Sequence, residues 1–167
     1  FHLAANPYLW AHNKKIFDQI NHEGTRVVLS EAKRATIKKV VYTSTESILS
    51  TRPSKNQPIH SSVVPILEDM PGPYCRSKFL AEQEAFKAAQ EGLPVVIVSP
   101  TLPIGPGDRR LTPPTQMILN FLNHKIPAYL DCKLNVVDVR DVAQGHILAA
   151  ERGRPGERYI LGNQNIQ

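Results

Sequence analysis

The sequence predicts an α/β fold with a mostly parallel sheet. Three observations carry that expectation. Short β-branched apolar runs alternate along the chain with longer segments whose apolar residues fall at helical spacing. The runs are too short and too uniformly apolar to be one-sided hairpin strands, and they read as strands buried on both faces. Polar or turn-forming residues stand at the C-terminal ends of three of them, where open parallel sheets bind ligands.

Taken in order, Phe1-His2-Leu3-Ala4-Ala5 opens the chain as an apolar run and reads as a buried strand end. Residues 11–35 read as a helix, with Ile16, Ile20, Val27, Val28 and Ala32 near helical spacing. Lys39-Val40-Val41-Tyr42-Thr43 is a buried strand. Residues 47–73, with Pro53, Pro58, Pro65, Pro71 and Pro73, form a long loop of the kind that carries function. Residues 74–91 make the clearest helix, stopped by Gly92 as a C′ glycine stops one. Pro94–Ser99 is a second buried strand, 103–114 a loop, 115–124 a short helix, Asn135–Val139 a third strand, Asp141–Arg152 a helix and Glu157–Leu161 a last strand. Pro100 lacks an N–H, so a turn is expected there. The apolar start and the strand-like run just before the end read as the middle of a larger domain.

With 167 residues, 41% hydrophobic and 21% charged, the chain has material for one packed core. No run of ~18 apolar residues is present, which excludes a membrane-crossing helix, and no leader pattern begins the chain. A cytoplasmic protein is expected. The two cysteines, Cys75 and Cys132, are too few for a disulfide framework or a zinc site, and the six histidines lack ligand-like spacing, so no metal is expected. A net charge of +5, scattered and without aromatic interleaving, does not read as a nucleic-acid surface.

Chemistry concentrates around one helix start. Tyr74 and Lys78 are one helical turn apart and share a face. A phenol with its usual pKa of ~10 is a poor base, and a neighbouring ammonium favours its ionised form. Thr43-Ser44-Thr45 ends the first strand, where a hydroxyl can hold a substrate oxygen while Tyr74 exchanges its proton. Ser99-Pro100-Thr101 ends the second strand, and Asp138 and Asp141 stand at the end of the third.

The segments HLAA (2–5), NHEGT (21–25), VVYTST (40–45), YCRSK (74–78), SPTLPIGPGD (99–108), NVVDVRDVAQGH (135–146) and GRPGERYILG (153–162) together resemble the extended short-chain dehydrogenases/reductases. They are most similar to the dihydroflavonol-reductase-like and hopanoid-associated sugar-epimerase-like group of the NAD-dependent epimerase/dehydratase family. The resemblance implies a partial, Rossmann-type doubly wound parallel sheet with part of a smaller C-terminal substrate domain. Residues 1–102 would be the C-terminal half of the dinucleotide domain, and 103–167 substrate-domain segments mixed with its last strand and helix. It further implies NAD or NADP as cofactor. Tyr74 would be the catalytic acid/base, Lys78 its pKa-lowering and ribose-binding partner, and Thr45 would stand where the family usually has Ser. Leu3, Ala4, Ala5, Asn21, Thr43, Pro100, Thr101 and Leu102 would join Tyr74 and Lys78 around the cofactor, with Asn21 supporting the site. Ser47, Arg109 and Arg110 are the candidate substrate contacts.

Two departures qualify the resemblance. The family's GxxGxxG turn, which cradles the pyrophosphate at a helix N-terminus, lies outside the sequence, together with the residue that selects NAD or NADP. Leu134 stands where nucleotide-sugar enzymes of this kind carry a phosphate-binding Arg, and Lys133 is expected to point elsewhere. The implied activity is hydride transfer to or from a carbonyl or carbinol carbon of a small molecule, with a homodimer compatible with the family. Reductase and nucleotide-sugar epimerase/dehydratase remain alternatives, as does a non-catalytic dinucleotide-binding regulator. The intact Thr45, Tyr74 and Lys78 speak against the last.

Overall fold

The computed structural model describes residues 1–49, 59–128 and 132–166. Pro53 and Pro58 of the expected loop lie outside those residues.

Three parallel strands make the main sheet, in the order β1 (Val40–Thr43), β2 (Val95–Pro100) and β5 (Arg158–Leu161). Every residue of β2 is buried, as expected of a β-branched run with a strand on each side. His2 adds one parallel bridge to Tyr42, its N–H donating to Val41 O at 2.9 Å and its carbonyl accepting from Thr43 N at 3.1 Å. The first residues are thus strand-like only at His2. Phe1, Leu3 and Ala4 are exposed, which corrects the reading of the whole run as buried.

Helices cover both faces. On one lie α1 (Lys15–Phe17), a π-helical stretch (Asp18–Glu23), α2 (Gly24–Arg34) and α3 (Gly72–Gln90). They pack through Leu29, Ala81 and Ala85 on Val40, Tyr42, Val95 and Ile97. On the other face lies α5 (Val139–Arg152), packing Ala149 on Val41, Val96 and Val98. The alternation of strand residues between these two cores is the period-2 geometry of a strand. A third cluster, Ile48, Leu49, Met70, Cys75 and Phe79, closes the end where the strands finish.

The helical stretch 15–34 does not bury the residues its apolar spacing suggested. Ile20, Val27 and Val28 are exposed, and the inward stripe is Phe17, Asn21, Thr25 and Leu29. Two polar residues in that stripe hide it from a hydrophobicity pattern.

Beyond the main sheet, β3 (Leu102–Ile104) pairs in parallel with β4 (Leu134–Asp138), which pairs antiparallel with β6 (Gln164–Ile166). Neither β3 nor β6 is evident from sequence, being three residues long and rich in Pro, Gln and Asn. Pro100 does not turn the chain. It closes β2 opposite Leu161, and the ladder passes on through Thr101 N to Leu161 O at 3.0 Å. The helix α4 (Pro113–Leu122) follows a tight loop in which the Asp108 carboxylate accepts from Thr112 N at 2.9 Å, Thr112 Oγ1 at 2.6 Å and Thr115 Oγ1 at 2.5 Å.

Candidate active site

The site forms where β1 ends. Ser44 N continues the ladder by donating to Val98 O at 2.7 Å. Thr45 then caps a 3-10 turn, Glu46–Ile48, its Oγ1 accepting from Ser47 N at 3.2 Å and donating to Ser47 Oγ at 3.0 Å. This fixes the Thr45 hydroxyl beside the first turn of α3.

Tyr74 stands on that turn. The chain reaches it through Gly72, whose φ of +67° suits glycine, and Pro73, which is pre-shaped for a helix start. Burial raises the Tyr74 phenol above its ordinary value. A side-chain hydrogen bond with Thr45 opposes this, while Cys75 and Glu46 add to it. Lys78 lies one turn on and is buried. Its Nζ donates to Tyr42 Oη at 3.0 Å and to Thr43 O at 2.8 Å. Burial pushes its pKa down to about 8, against an upward push from Glu82. The expected lowering of Tyr74 by Lys78 is therefore not seen here: the ammonium is directed at Tyr42 and Thr43, and burial dominates the phenol. Two of the three Lys78 N–H donors are engaged, which leaves one available. Exposed Leu3 and Ala4 and half-buried Ala5 follow His2, which bridges to β1.

The other expected residues divide. Asn21 is fully buried, with Nδ2 donating to Ser77 Oγ at 3.0 Å and Asn6 O at 3.2 Å, and Oδ1 accepting from Asn6 N at 2.6 Å. Its amide is saturated, so it ties residue 6 to α3 and has no donor left for a ligand. It sits in the π-helical stretch, where the widened turn brings it to both partners. The Thr43 hydroxyl faces α5, bonded to His146 Nε2 at 2.8 Å, and only its carbonyl serves Lys78. Pro100 is buried, and Thr101 and Leu102 are half-buried.

A cleft of about 430 Å³ borders the site, lined by Glu46, Ile59, Thr101, Lys133, Asn135 and Ile160, among others. Burial raises the Glu46 carboxyl, and a bond from Ser47 opposes that. Lys133 thus faces the cleft, contrary to the expectation that it points elsewhere. Arg109 and Arg110 stay exposed on the turn between β3 and α4 and are not among the residues lining this cleft.

Sequence reasoning missed Tyr42, Glu82 and Arg158. Glu82 and Arg158 form a buried ion pair, and Arg158 Nη1 also donates to Ser61 O at 3.0 Å and Val63 O at 2.8 Å. The missed signal was positional: Glu82 follows Tyr74 and Lys78 at four-residue steps on the same helix face.

A phenol on a helix start, with a buried amine one turn away and a hydroxyl fixed at a parallel strand end, is equipped to pass a proton to or from a bound oxygen. The profile of the NAD dependent epimerase/dehydratase family matches residues 1–162. A Synechocystis sp. protein assigned as a dihydroflavonol 4-reductase is 44% identical over 170 residues, 99% of this chain and 49% of that protein. Sterol demethylase protein B of Methylococcus capsulatus is 33% identical over 91% of this chain and 45% of its own length. The crystal structure of gox2253 superposes with a TM-score of 0.92 at 41% identity, covering 99% of this chain and 50% of that one. The chain thus spans about half the length of the relatives it matches.

Proposed function

Because this chain belongs to the NAD dependent epimerase/dehydratase family, we propose that it carries the proton-handling half of an NAD- or NADP-dependent oxidoreductase acting on a carbonyl or carbinol carbon. When bound, the nicotinamide supplies or accepts hydride. Tyr74 gives the substrate oxygen its proton during reduction and takes it back during oxidation. Thr45 orients the phenol and the substrate oxygen, and Lys78 holds the ribose with its remaining N–H. Leu3, Ala4, Ala5, Pro100, Thr101 and Leu102 make the walls around the nicotinamide end, and Asn21 supports the site through Asn6 and Ser77. The observation that supports the reading is the Thr45 hydroxyl fixed where β1 ends, with Tyr74 on the first turn of α3 and Lys78 buried one turn further on.

The favoured substrate is an uncharged or lipid-like ketone or alcohol, in keeping with relatives named for a flavonol-type reductase and a sterol demethylase. Lys133 on the cleft favours a second reading, a nucleotide-sugar epimerase or dehydratase whose substrate phosphate it would meet. The test is turnover followed by nicotinamide absorbance across small ketones, flavonoid-type ketones and sterol alcohols, with chromatography of nucleotide-sugar products. Tyr74→Phe keeps the ring and removes the proton. A loss of at least ~10²-fold at little-changed cofactor affinity is expected, and near-wild-type turnover would overturn the assignment.

A further inference from the structure

Arg158 opens β5 and meets α3 with its guanidinium. Nη2 pairs with Glu82, and the guanidinium carbon lies 5.3 Å from the centroid of the Phe86 ring. Nη1 donates to Ser61 O at 3.0 Å and to Val63 O at 2.8 Å. Both acceptors belong to one turn, in which Val63 N donates to His60 O at 3.1 Å. Ser61 and Ser62 are exposed, Val63 is half-buried and Val64 is 84% exposed, so side-chain packing holds this turn weakly until Pro65, which is buried. The two bonds from Arg158 tie the turn to the sheet.

Each end of this link stands two residues from the cleft. Ile160 follows Arg158 by two and shares its side of β5. Ile59 precedes Ser61 by two. Both line the cleft, an apolar pair set beside Glu46, Thr101, Lys133 and Asn135. A buried arginine on a carboxylate can serve the core alone. Such a pair does not require the second nitrogen of the guanidinium to be spent on two carbonyls of a surface turn.

We propose that Arg158 is a positioning residue for substrate: it fixes the 60–63 turn so that Ile59 stands with Ile160 at the cleft, and this pair holds the apolar part of a ketone or alcohol beyond its reacting carbon. The proposal rests on the reading of Tyr74 and Lys78 as the proton-handling pair and on the cleft as the place of the substrate. Arg158 touches no reacting atom and acts through Ile59. The planar fork is what the task needs, because it reaches Glu82 with one nitrogen and the turn with the other. A lysine has one nitrogen and cannot reproduce that geometry.

The test compares acetone with a long-chain methyl ketone, following nicotinamide absorbance. Arg158→Lys keeps the charge beside Glu82 and gives up the fork. KM for the long-chain ketone should rise about tenfold, the scale of one apolar pocket contact. The KM for acetone, kcat and cofactor affinity should stay as in wild type. Ile59→Ala should lose a similar factor, and Ile59→Ala/Arg158→Lys no more than either single variant, because both remove the same contact. An unchanged KM, an equal rise for both ketones, additive losses, or a wild-type preference for acetone would overturn the role. If Arg158→Lys does not fold, Arg158→Met/Glu82→Leu leaves no charge stranded, and the ratio of its two KM values is the readout, with the same tenfold change expected. Hydrogen exchange gives a measurement that needs no activity: in Arg158→Lys the amides of residues 60–63 should exchange faster while those of β2 do not. If the wild-type chain turns over neither ketone, the reading of the Tyr74–Lys78 pair fails. Exchange then decides the anchor alone: an increase confined to the turn supports it, and an unchanged or uniformly faster exchange sinks it.

Discussion

Lys78 and Tyr42, 36 residues apart in sequence, meet in the interior with Nζ 3.0 Å from the phenol oxygen and 4.7 Å from the ring centroid. The ring face and the oxygen both favour the ammonium, yet desolvation still prevails and lowers the pKa to about 8. A cation held this way is costly to the fold and useful to a proton-transfer site.

The cost has a pH signature. Below about 8 Lys78 is charged in both states, and the native state carries the desolvation penalty. Between about 8 and its ordinary 10.5 the unfolded chain binds the extra proton, so stability rises with pH across that window. Removing the amine removes this dependence. Lys78→Met should therefore compare most favourably with wild type at pH 7 and lose ground steadily toward pH 10.5, as read by urea unfolding at several pH values. A difference that stays constant across the window would contradict a depressed Lys78.

Asp108 has the opposite sign. Hydrogen bonds from the Thr112 and Thr115 side chains, then from the Thr112 and Arg110 backbone, hold its carboxyl down to about 2. The stabilisation is fully present above the unfolded value of 3.8 and disappears as pH falls toward 2. Asp108→Asn should lower the melting temperature at pH 6 and converge on wild type near pH 2. The anchor at stake is the start of α4.

The Glu82–Arg158 pair is buried on both sides, 0% and 5% exposed at the side chains. Arg158→Met leaves the carboxylate without its partner, a change that costs roughly 3–5 kcal/mol in such pairs. Arg158→Met/Glu82→Leu should recover much of that loss, because no charge is then stranded. Denaturant titration of the cycle measures it, and a double variant as weak as Arg158→Met would show that the pair itself is the stabilising element.

Gly72 holds φ +67° at the first position of the helix that bears Tyr74, with open space where a Cβ would project. Gly72→Ala should cost about 1–2 kcal/mol from backbone conformation alone, measured by thermal unfolding. A neutral result would mean that the helix start relaxes freely.

Much of this molecule is legible in its residues. The runs at 40–43 and 95–100 are buried parallel strands because β-branched side chains fill both faces, and α3 ends where Gly92 takes φ +92°. Tyr74 and Lys78 lie one turn apart on α3, as their spacing suggested. Other features were hidden for physical reasons. The inward stripe of the first helical stretch contains Asn21 and Thr25, whose burial depends on partners distant in sequence: Ser77, Asn6 and His2. Tyr42 reads as an apolar strand residue until the amine opposite it is known. Lys133 lines the cleft together with Asn135, two residues on, while Leu134 between them does not, so the alternation of the strand holds and it is the Lys133 face that meets the cleft.

Arg158 grips the 61–63 segment by its main-chain oxygens alone, at Ser61 and Val63. Every residue type carries such an oxygen, so the grip is indifferent to which side chains the segment bears. Ser61, Ser62, Val63 and Val64 can be exchanged over evolutionary time without loosening the anchor beside Glu82, and the neighbouring Ile59 already lines the cleft. The fold separates what must stay fixed from what can drift: descendants of this sequence can acquire new preferences by altering the lip of the cleft while the helix beneath it keeps its place.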